Sequence, residues 1–337
     1  MNKFIFCCAF ALLYACTFQA QHPKFGSARV AFYNVENLFD TLDHPVHVDE
    51  DFTPTGKQKW TTQRYAAKLD NIARVIKELA FPALMGLCEV ENEKVLQDLI
   101  QRDVLAAKKY DFVHYESPDF RGIDVALLYN KKAFKVKSSE RIRINFPPNI
   151  VQDYTTRDVL LVKGIYRKKH PLYLFINHWP SRVGGLQKSE PKRTYVAQQV
   201  RKKVDSLFAL DTNANIILMG DFNDETDNKS VARTLGATTN KKDLQAEKLY
   251  NCFAPLDQQR MGSYNYRGTL NMLDQIIVSS SLMNSEQLRV QYPNIYRAAW
   301  MIYRHDRFGE MPNRTYGGPN YYGGTSDHFP VYVDLVK

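Results

Sequence analysis

Eight polar residues stand where apolar segments of this chain begin or end. Asn34 follows Arg29 to Tyr33, Glu89 follows Ala83 to Cys88, His178 lies just past Leu172 to Ile176, and Asp221 and Asn223 come after Ile216 to Met219. Asp274 opens the run Gln275 to Val278, and Asp327-His328 opens Phe329 to Val333. Each alone has an everyday explanation, because Asp and Asn are common turn formers and a single His or Glu at a strand end is usually structural. As a set they supply several carboxylate and amide oxygens, the donors that suit a hard cation such as Mg²⁺ or Mn²⁺. Coincidence explains that set less well than a metal-centred site does.

Such a site needs a scaffold that brings distant residues to one edge. The apolar runs, together with Val125 to Tyr129, read as buried strands separated by amphipathic stretches. Some of the polar sites follow their strands and the others precede them, so they converge only if the sheets are mixed, with antiparallel strands included. Tyr65, Leu69, Ile72, Ala73, Ile76 and Leu79 share one face at helical spacing; Val95, Leu96, Leu99 and Ile100 predict a second helix, and a third is expected from about Pro191 to Leu210. No repeat or linker-like segment divides the chain, which favours one α/β domain over residues 25–337. Asp40 to Lys59 and Tyr303 to Thr325 read as long functional loops.

Asn34-Val35-Glu36-Asn37, the strand-ending Glu89, Gly220-Asp221-Phe222-Asn223, Leu273-Asp274-Gln275 and Ser326-Asp327-His328 resemble, in order, the motifs of the endonuclease/exonuclease/phosphatase superfamily. That superfamily includes deoxyribonucleases, abasic-site endonucleases, bacterial sphingomyelinases and inositol-phosphate phosphatases. The resemblance runs from about Arg29 to the C-terminus. It implies a four-layer sandwich, two packed mixed β-sheets flanked by helices, with the active site at one sheet edge. It also implies roles. Glu89 would be the main metal ligand, with Asn34 beside it and Asp327 completing the site, the metal being Mg²⁺ or Mn²⁺. His328 would contact the scissile phosphate, oriented by Asp274. Asp221 would deprotonate the attacking water, and Asn223 would donate to the phosphoryl group. His178, in Asn177-His178-Trp179-Pro180, resembles the general acid of the deoxyribonuclease branch, with Asp124 as its orienting carboxylate. Arg157 resembles a phosphate-contacting arginine of that branch, and Arg121 is a second candidate.

The substrate is less sharply indicated. Lys and Arg number 45 against 36 Asp and Glu, a net +9 that favours anionic partners, although the basic residues are scattered. The favoured reading is a nuclease or phosphodiesterase acting on nucleic acid, helped by the arginine- and tyrosine-rich segment before Ser326, which could stack bases. A phospholipid, inositol phosphate or other small phosphoester is the alternative. A surface protein that uses the fold only for binding is disfavoured by the complete polar set. Residues 1–20 read as a secretory signal, with Lys3 before the apolar run Phe4 to Leu13. Leu13-Tyr14-Ala15-Cys16 also resembles a lipobox, which would attach the protein to a membrane surface through Cys16. Export to the periplasm, medium or cell surface is therefore expected, and a monomer. Only Cys88 and Cys252 remain in the body, which argues against a disulfide framework.

Overall fold

The computed structural model describes residues 27–337; the segment read as a signal, with Cys16, lies outside the described residues. In chain order the strands are β1 (Ala28–Leu38), β2 (Leu84–Val90), β3 (Tyr110–His114), β4 (Asp124–Asn130), β5 (Phe134–Ile142), β6 (Val159–Tyr166), β7 (His170–His178), β8 (Ile216–Asp221), β9 (Ala237–Thr238), β10 (Leu249–Asn251), β11 (Tyr264–Tyr266), β12 (Thr269–Asn271), β13 (Asp274–Ser279), β14 (Arg289–Ile295), β15 (Ile302–His305), β16 (Gly309–Pro312), β17 (Tyr316–Gly317), β18 (Asn320–Tyr321) and β19 (Val331–Val336). The helices are α1 (Thr62–Glu78), α2 (Glu93–Ile100), α3 (Asp103–Ala106), α4 (Leu186–Leu210), α5 (Ala254–Gln258) and α6 (Ser280–Asn284).

Two mixed sheets form the body. The six-stranded sheet runs β14-β19-β1-β2-β4-β3 and the seven-stranded sheet β5-β6-β7-β8-β13-β10-β9. At the centre of each, two parallel strands lie beside an antiparallel one: β1 and β2 with β19, and β7 and β8 with β13. The C-terminal ends of the parallel strands therefore meet the N-terminal end of the antiparallel strand at one edge. Register makes this concrete: Asp221 lies opposite both His178 and Asp274, and Asn34 lies opposite Cys88.

Strand alternation sorts the core into layers, because successive side chains point to opposite faces. Leu174, Ile176, Ile217 and Met219 turn toward the other sheet and share a core with Val30, Phe32 and Leu87. Phe175, Ile216 and Leu218 turn the other way, onto Val196, Val200, Val204 and Leu207 of α4. Helix α1 packs Leu69, Ile72 and Ile76 onto the first sheet, starting at Thr61, whose hydroxyl accepts from the Arg64 N–H, and stopping where Ala80 and Phe81 take positive φ. Helix α2 starts at Asn92, whose amide oxygen accepts from the Val95 N–H at 3.0 Å.

Helix α4 begins at Leu186 rather than near Pro191, directly after Gly184 and Gly185 with φ of +84° and +106°. Pro191 cannot donate to the carbonyl one turn back. The first turn is held instead by side chains: the Ser189 hydroxyl donates to Gly185 O at 2.7 Å, and Arg193 donates to Leu186 O at 3.2 Å. The segment Tyr303 to Thr325, expected as a loop, contains two short hairpins, β15–β16 and β17–β18. Cys88 and Cys252 are buried free thiols. Among the described residues, no helix is long and apolar enough to cross a membrane.

Candidate active site

The sheet edge opens into a cleft of about 740 Å³ lined by Asn34, Glu89, Arg121, His178, Asp221, Asn223, Asp327 and His328, among others. Two of its walls are bulges. β1 breaks register between Asn34 and Leu38, with Glu36 and Asn37 at φ +51° and +52°, and β2 does so between Cys88 and Val90, with Glu89 at φ +62°. A bulge re-aims a side chain from its strand face, and non-glycine residues hold such angles only where surroundings impose them. Here the imposing contact is mutual, since the Asn37 N–H donates to Glu89 Oε2 at 2.9 Å.

Asn34 turns its amide nitrogen toward the carboxylates, donating to Asp221 Oδ2 at 3.1 Å and Glu89 Oε1 at 3.4 Å. Its oxygen accepts from the Glu36 N–H at 3.0 Å. The structure thus places Asn34 at the cleft between the Glu89 and Asp221 carboxylates, its amide oxygen accepting one hydrogen bond from the bulge backbone.

Gly220 sets the neighbouring strand. A Cβ there would lie 2.5 Å from Asn177 O, so only glycine lets β8 approach β7 closely enough to place Asp221 beside His178. Asp221 Oδ1 accepts from the Asn223 N–H at 2.9 Å, and its Oδ2 lies 3.7 Å from His178 Nε2 and 3.9 Å from His328 Nε2. Burial pushes the Asp221 carboxyl up to about 6, with His328 opposing the rise and Asp274 adding to it. Asn223 has φ +49° and donates from its amide to Trp179 O at 3.0 Å.

Asp274 lies behind the cleft wall, fully buried, and its Oδ2 accepts from Ser263 Oγ at 2.5 Å and pairs with His328 Nδ1 at 2.6 Å. Burial works against a charged His328, but the carboxylates of Asp274, Asp221 and Asp327 outweigh it and hold the imidazole well above its ordinary range. His178 is the opposite case. Burial, reinforced by the charges of Arg157, Arg121 and His328, holds it well below that range, and its Nδ1 has no hydrogen-bond partner. The site thus pairs a cationic imidazole with a neutral one.

Asp124 does not orient His178. It opens β4 and accepts from the Ser117 N–H at 2.8 Å, while its other oxygen lies 3.1 Å from His114 Nε2. Arg157 does not face the cleft either: its buried guanidinium donates to Asp119 Oδ2 at 3.0 Å and to Trp179 O at 2.7 Å. Asp119 also accepts from Arg121 Nε at 3.3 Å, so the buried arginine positions, through Asp119, the one arginine of the two that lines the cleft.

Residues that the sequence reading passed over complete the frame. The Tyr264 ring sits 4.8 Å from that of His328, and Arg314 bridges Asp327 Oδ2 at 3.1 Å and Glu36 Oε1 at 3.1 Å. Buried Lys68 donates to Glu36 O at 2.8 Å, Thr315 Oγ1 at 2.5 Å and Thr325 O at 2.7 Å, tying α1 and the approach to Ser326-Asp327-His328 onto the β1 bulge. Arg182 is committed to Asn223 O, Asn271 Oδ1 and Asn228 Oδ1 at 2.8, 3.0 and 3.0 Å.

The donor set facing the cleft, Glu89, Asp221 and Asp327, is made of carboxylate oxygens, with Glu89 and Asp327 partly open to solvent. That chemistry fits a hard divalent cation.

The chain belongs to the Endonuclease/Exonuclease/phosphatase family, whose sequence model matches residues 29–337. No curated protein matches it. Among solved structures, zebrafish (D. rerio) TDP2 complexed with a single-strand DNA product superposes with a TM-score of 0.57 at 18% identity, covering 92% of this chain and 99% of that one. The Bacteroides thetaiotaomicron mannosyl-6-phosphatase gives 0.54 at 18% identity over 92% and 100%, and the human Nocturnin catalytic domain with bound sulfate 0.54 at 16% over 92% and 94%. At these identities the likeness is one of fold: two mixed sheets with helices outside.

Proposed function

We propose that this protein hydrolyses phosphoesters by metal-assisted, in-line attack of water, with a phosphodiester of nucleic acid as its first substrate. The observation that carries the reading is the buried row Asp221, His328 and Asp274 on the cleft wall, a carboxyl near 6 beside an imidazole held cationic. A base whose pKa sits near neutrality combines correct protonation with useful driving force. Glu89 would hold Mg²⁺ or Mn²⁺, with Asp327 alongside, and the ion supplies charge to a phosphoryl oxygen.

The chain's own groups do the rest. Asp221 takes the proton of the attacking water, its carboxylate steadied by Asn34 and the Asn223 N–H. His328 donates from Nε2 to the phosphoryl group while Asp274 fixes its Nδ1. Arg121 adds charge at the cleft mouth. Neutral His178 donates a hydrogen bond as it stands. An anionic phosphate beside it favours its protonation, and only then does it act as acid toward the leaving oxygen.

Exposed Tyr266 and Tyr303, with Arg267, Arg304 and Arg307, lie on the β11–β12 and β15–β16 hairpins, which the Asn265 amide joins by donating to Glu310 O at 2.9 Å. That surface suits stacked bases. A second reading, a compact phosphoester, is supported by the commitment of Arg182 and the burial of Arg157, which leave Arg121, held by Asp119, as the arginine of the three with most of its guanidinium free to meet a phosphate. The zebrafish TDP2 and Bacteroides phosphatase neighbours span the same two options. Mg²⁺- and Mn²⁺-dependent turnover of plasmid DNA, RNA, bis-(p-nitrophenyl) phosphate, sphingomyelin, inositol phosphates and sugar phosphates separates them. Cleavage of nucleic acid supports the first reading, turnover confined to small esters or lipids the second, and silence on all of them refutes both. We also propose export, on the charge and apolar pattern of residues 1–20, as a monomer, with membrane attachment if Cys16 is lipidated.

A further inference from the structure

A second cluster of metal-ligating side chains lies outside the catalytic cleft. His114 ends β3, Asp124 opens β4, and Glu116 sits on the segment that joins them. One donor atom from each lies within 4.8 Å of the other two, and His114 Nε2 is 3.1 Å from Asp124 Oδ2. Ligands about 2.0–2.2 Å from a tetrahedral ion lie about 3.3–3.6 Å from one another, so this hydrogen-bonded pair has only to open by a few tenths of an ångström to share one ion.

The site is built as well as spaced. The His114 and Asp124 side chains are each 1% exposed, and Asp124 is fixed by the Ser117 N–H at 2.8 Å. Glu116 is exposed and borders a cavity of about 480 Å³ with His114, Tyr115 and Asn92, which gives an ion a way in. Two carboxylates brought together repel unless a proton or a cation stands between them. None of these groups serves the chemistry assigned above.

We propose that His114, Glu116 and Asp124 form a second divalent-cation site, for a borderline metal of the Zn²⁺ or Mn²⁺ class, separate from the cleft. One imidazole with two carboxylates is a donor set for such ions, softer than the all-oxygen set around Glu89. Its place in the sheet gives it a structural consequence. Asp124 pairs in register with Val90, the residue after Glu89, so an ion there braces the β2–β4 edge that carries the catalytic carboxylate.

The test uses Zn²⁺ alone, added to metal-stripped Glu89→Gln protein, followed by calorimetric titration and thermal unfolding. The expected result is one equivalent bound and a raised unfolding midpoint, with affinity at least tenfold weaker and the midpoint shift lost in Glu89→Gln/Glu116→Gln. Because Glu116 is exposed, that second change leaves the fold intact, and His114→Asn provides an independent loss of the nitrogen ligand. No Zn²⁺ uptake by Glu89→Gln protein, or uptake untouched by Glu116→Gln, overturns the site and leaves a shared proton as the reason the two carboxylates tolerate each other.

Discussion

Replacing Asp274 by Asn removes the charge that keeps His328 protonated while preserving the shape of its partner. In the wild type the Asp274 Oδ2 to His328 Nδ1 contact is 2.6 Å and both side chains are buried, so water offers no substitute. An asparagine can still accept from Nδ1, but it no longer offsets the cost of a buried imidazolium, and the His328 pKa falls toward or below the ordinary value of 6.5. The sign for stability follows. A histidine whose folded pKa is raised stabilises the fold fully below its unfolded pKa and loses that contribution as pH rises through the folded value. The wild type should therefore exceed Asp274→Asn in unfolding free energy most at pH 5.5 and least well above neutrality, with a slope of at most about 1.4 kcal/mol per pH unit from this group. For activity, loss of the cationic donor should lower kcat on the order of 10³-fold at pH 7, about 4 kcal/mol. The pH–rate profile with bis-(p-nitrophenyl) phosphate should keep an acid limb set by Asp221, while its basic limb moves down into the neutral range. Imidazole Cε1–H titration by NMR reads the same shift directly. An Asp274→Asn protein whose basic limb and His328 titration match the wild type would falsify the charge assignment.

Other expectations follow from contacts already described. Arg121→Ala should raise KM with little change in thermal stability, whereas Arg157→Ala should destabilise the fold by about 3–5 kcal/mol by removing the buried half of the charge pairing at Asp119 and leaving only the part-exposed Arg121; steady-state kinetics and denaturant unfolding distinguish the two, and the reverse pattern would restore Arg157 as the phosphate contact. Gly220→Ala forces a Cβ against Asn177 O, so the unfolding free energy should drop by about 1–3 kcal/mol and kcat should fall as Asp221 and His178 part; unchanged activity would separate that approach from catalysis. Burial pushes the Glu91 carboxyl up to about 8 from an ordinary 4.5, so the folded state disfavours its ionisation. Stability of Glu91→Gln relative to wild type should then grow as pH rises from 4.5 to 8 and level off above; a pH-independent difference in chemical denaturation contradicts this.

The parts of the site that were legible in the sequence are those where polar residues cut off apolar runs. Asn34, Glu89, Asp221, Asp274 and His328 stand at ends of buried strands, and the need for a mixed sheet followed from their positions alone. What stayed hidden was direction. Thr156-Arg157-Asp158 opens a strand as a phosphate contact would, yet nothing local reveals whether the guanidinium turns to the cleft or, as here, to Asp119 and the Trp179 carbonyl. Asp124 likewise took a partner, His114, that only the β3–β4 pairing brings near. Strand β5, reading Phe-Lys-Val-Lys-Ser-Ser-Glu-Arg-Ile, lies at a sheet edge with most of its residues solvated, so its apolar signal is weak. Ser263 and Arg314 act by supporting Asp274 and Asp327 from 11 and 13 residues away, across turns that neither the helical nor the strand period records.

The most direct measurement is turnover of bis-(p-nitrophenyl) phosphate against Mg²⁺ and Mn²⁺ concentration for wild type and Glu89→Gln side by side, with folding of both checked by circular dichroism. Saturable, metal-dependent hydrolysis in the wild type, reduced at least 10²-fold in a folded Glu89→Gln protein, is the predicted result. Equal rates in the two proteins, or wild-type turnover unaffected by chelation, would contradict a metal-assisted centre built on Glu89.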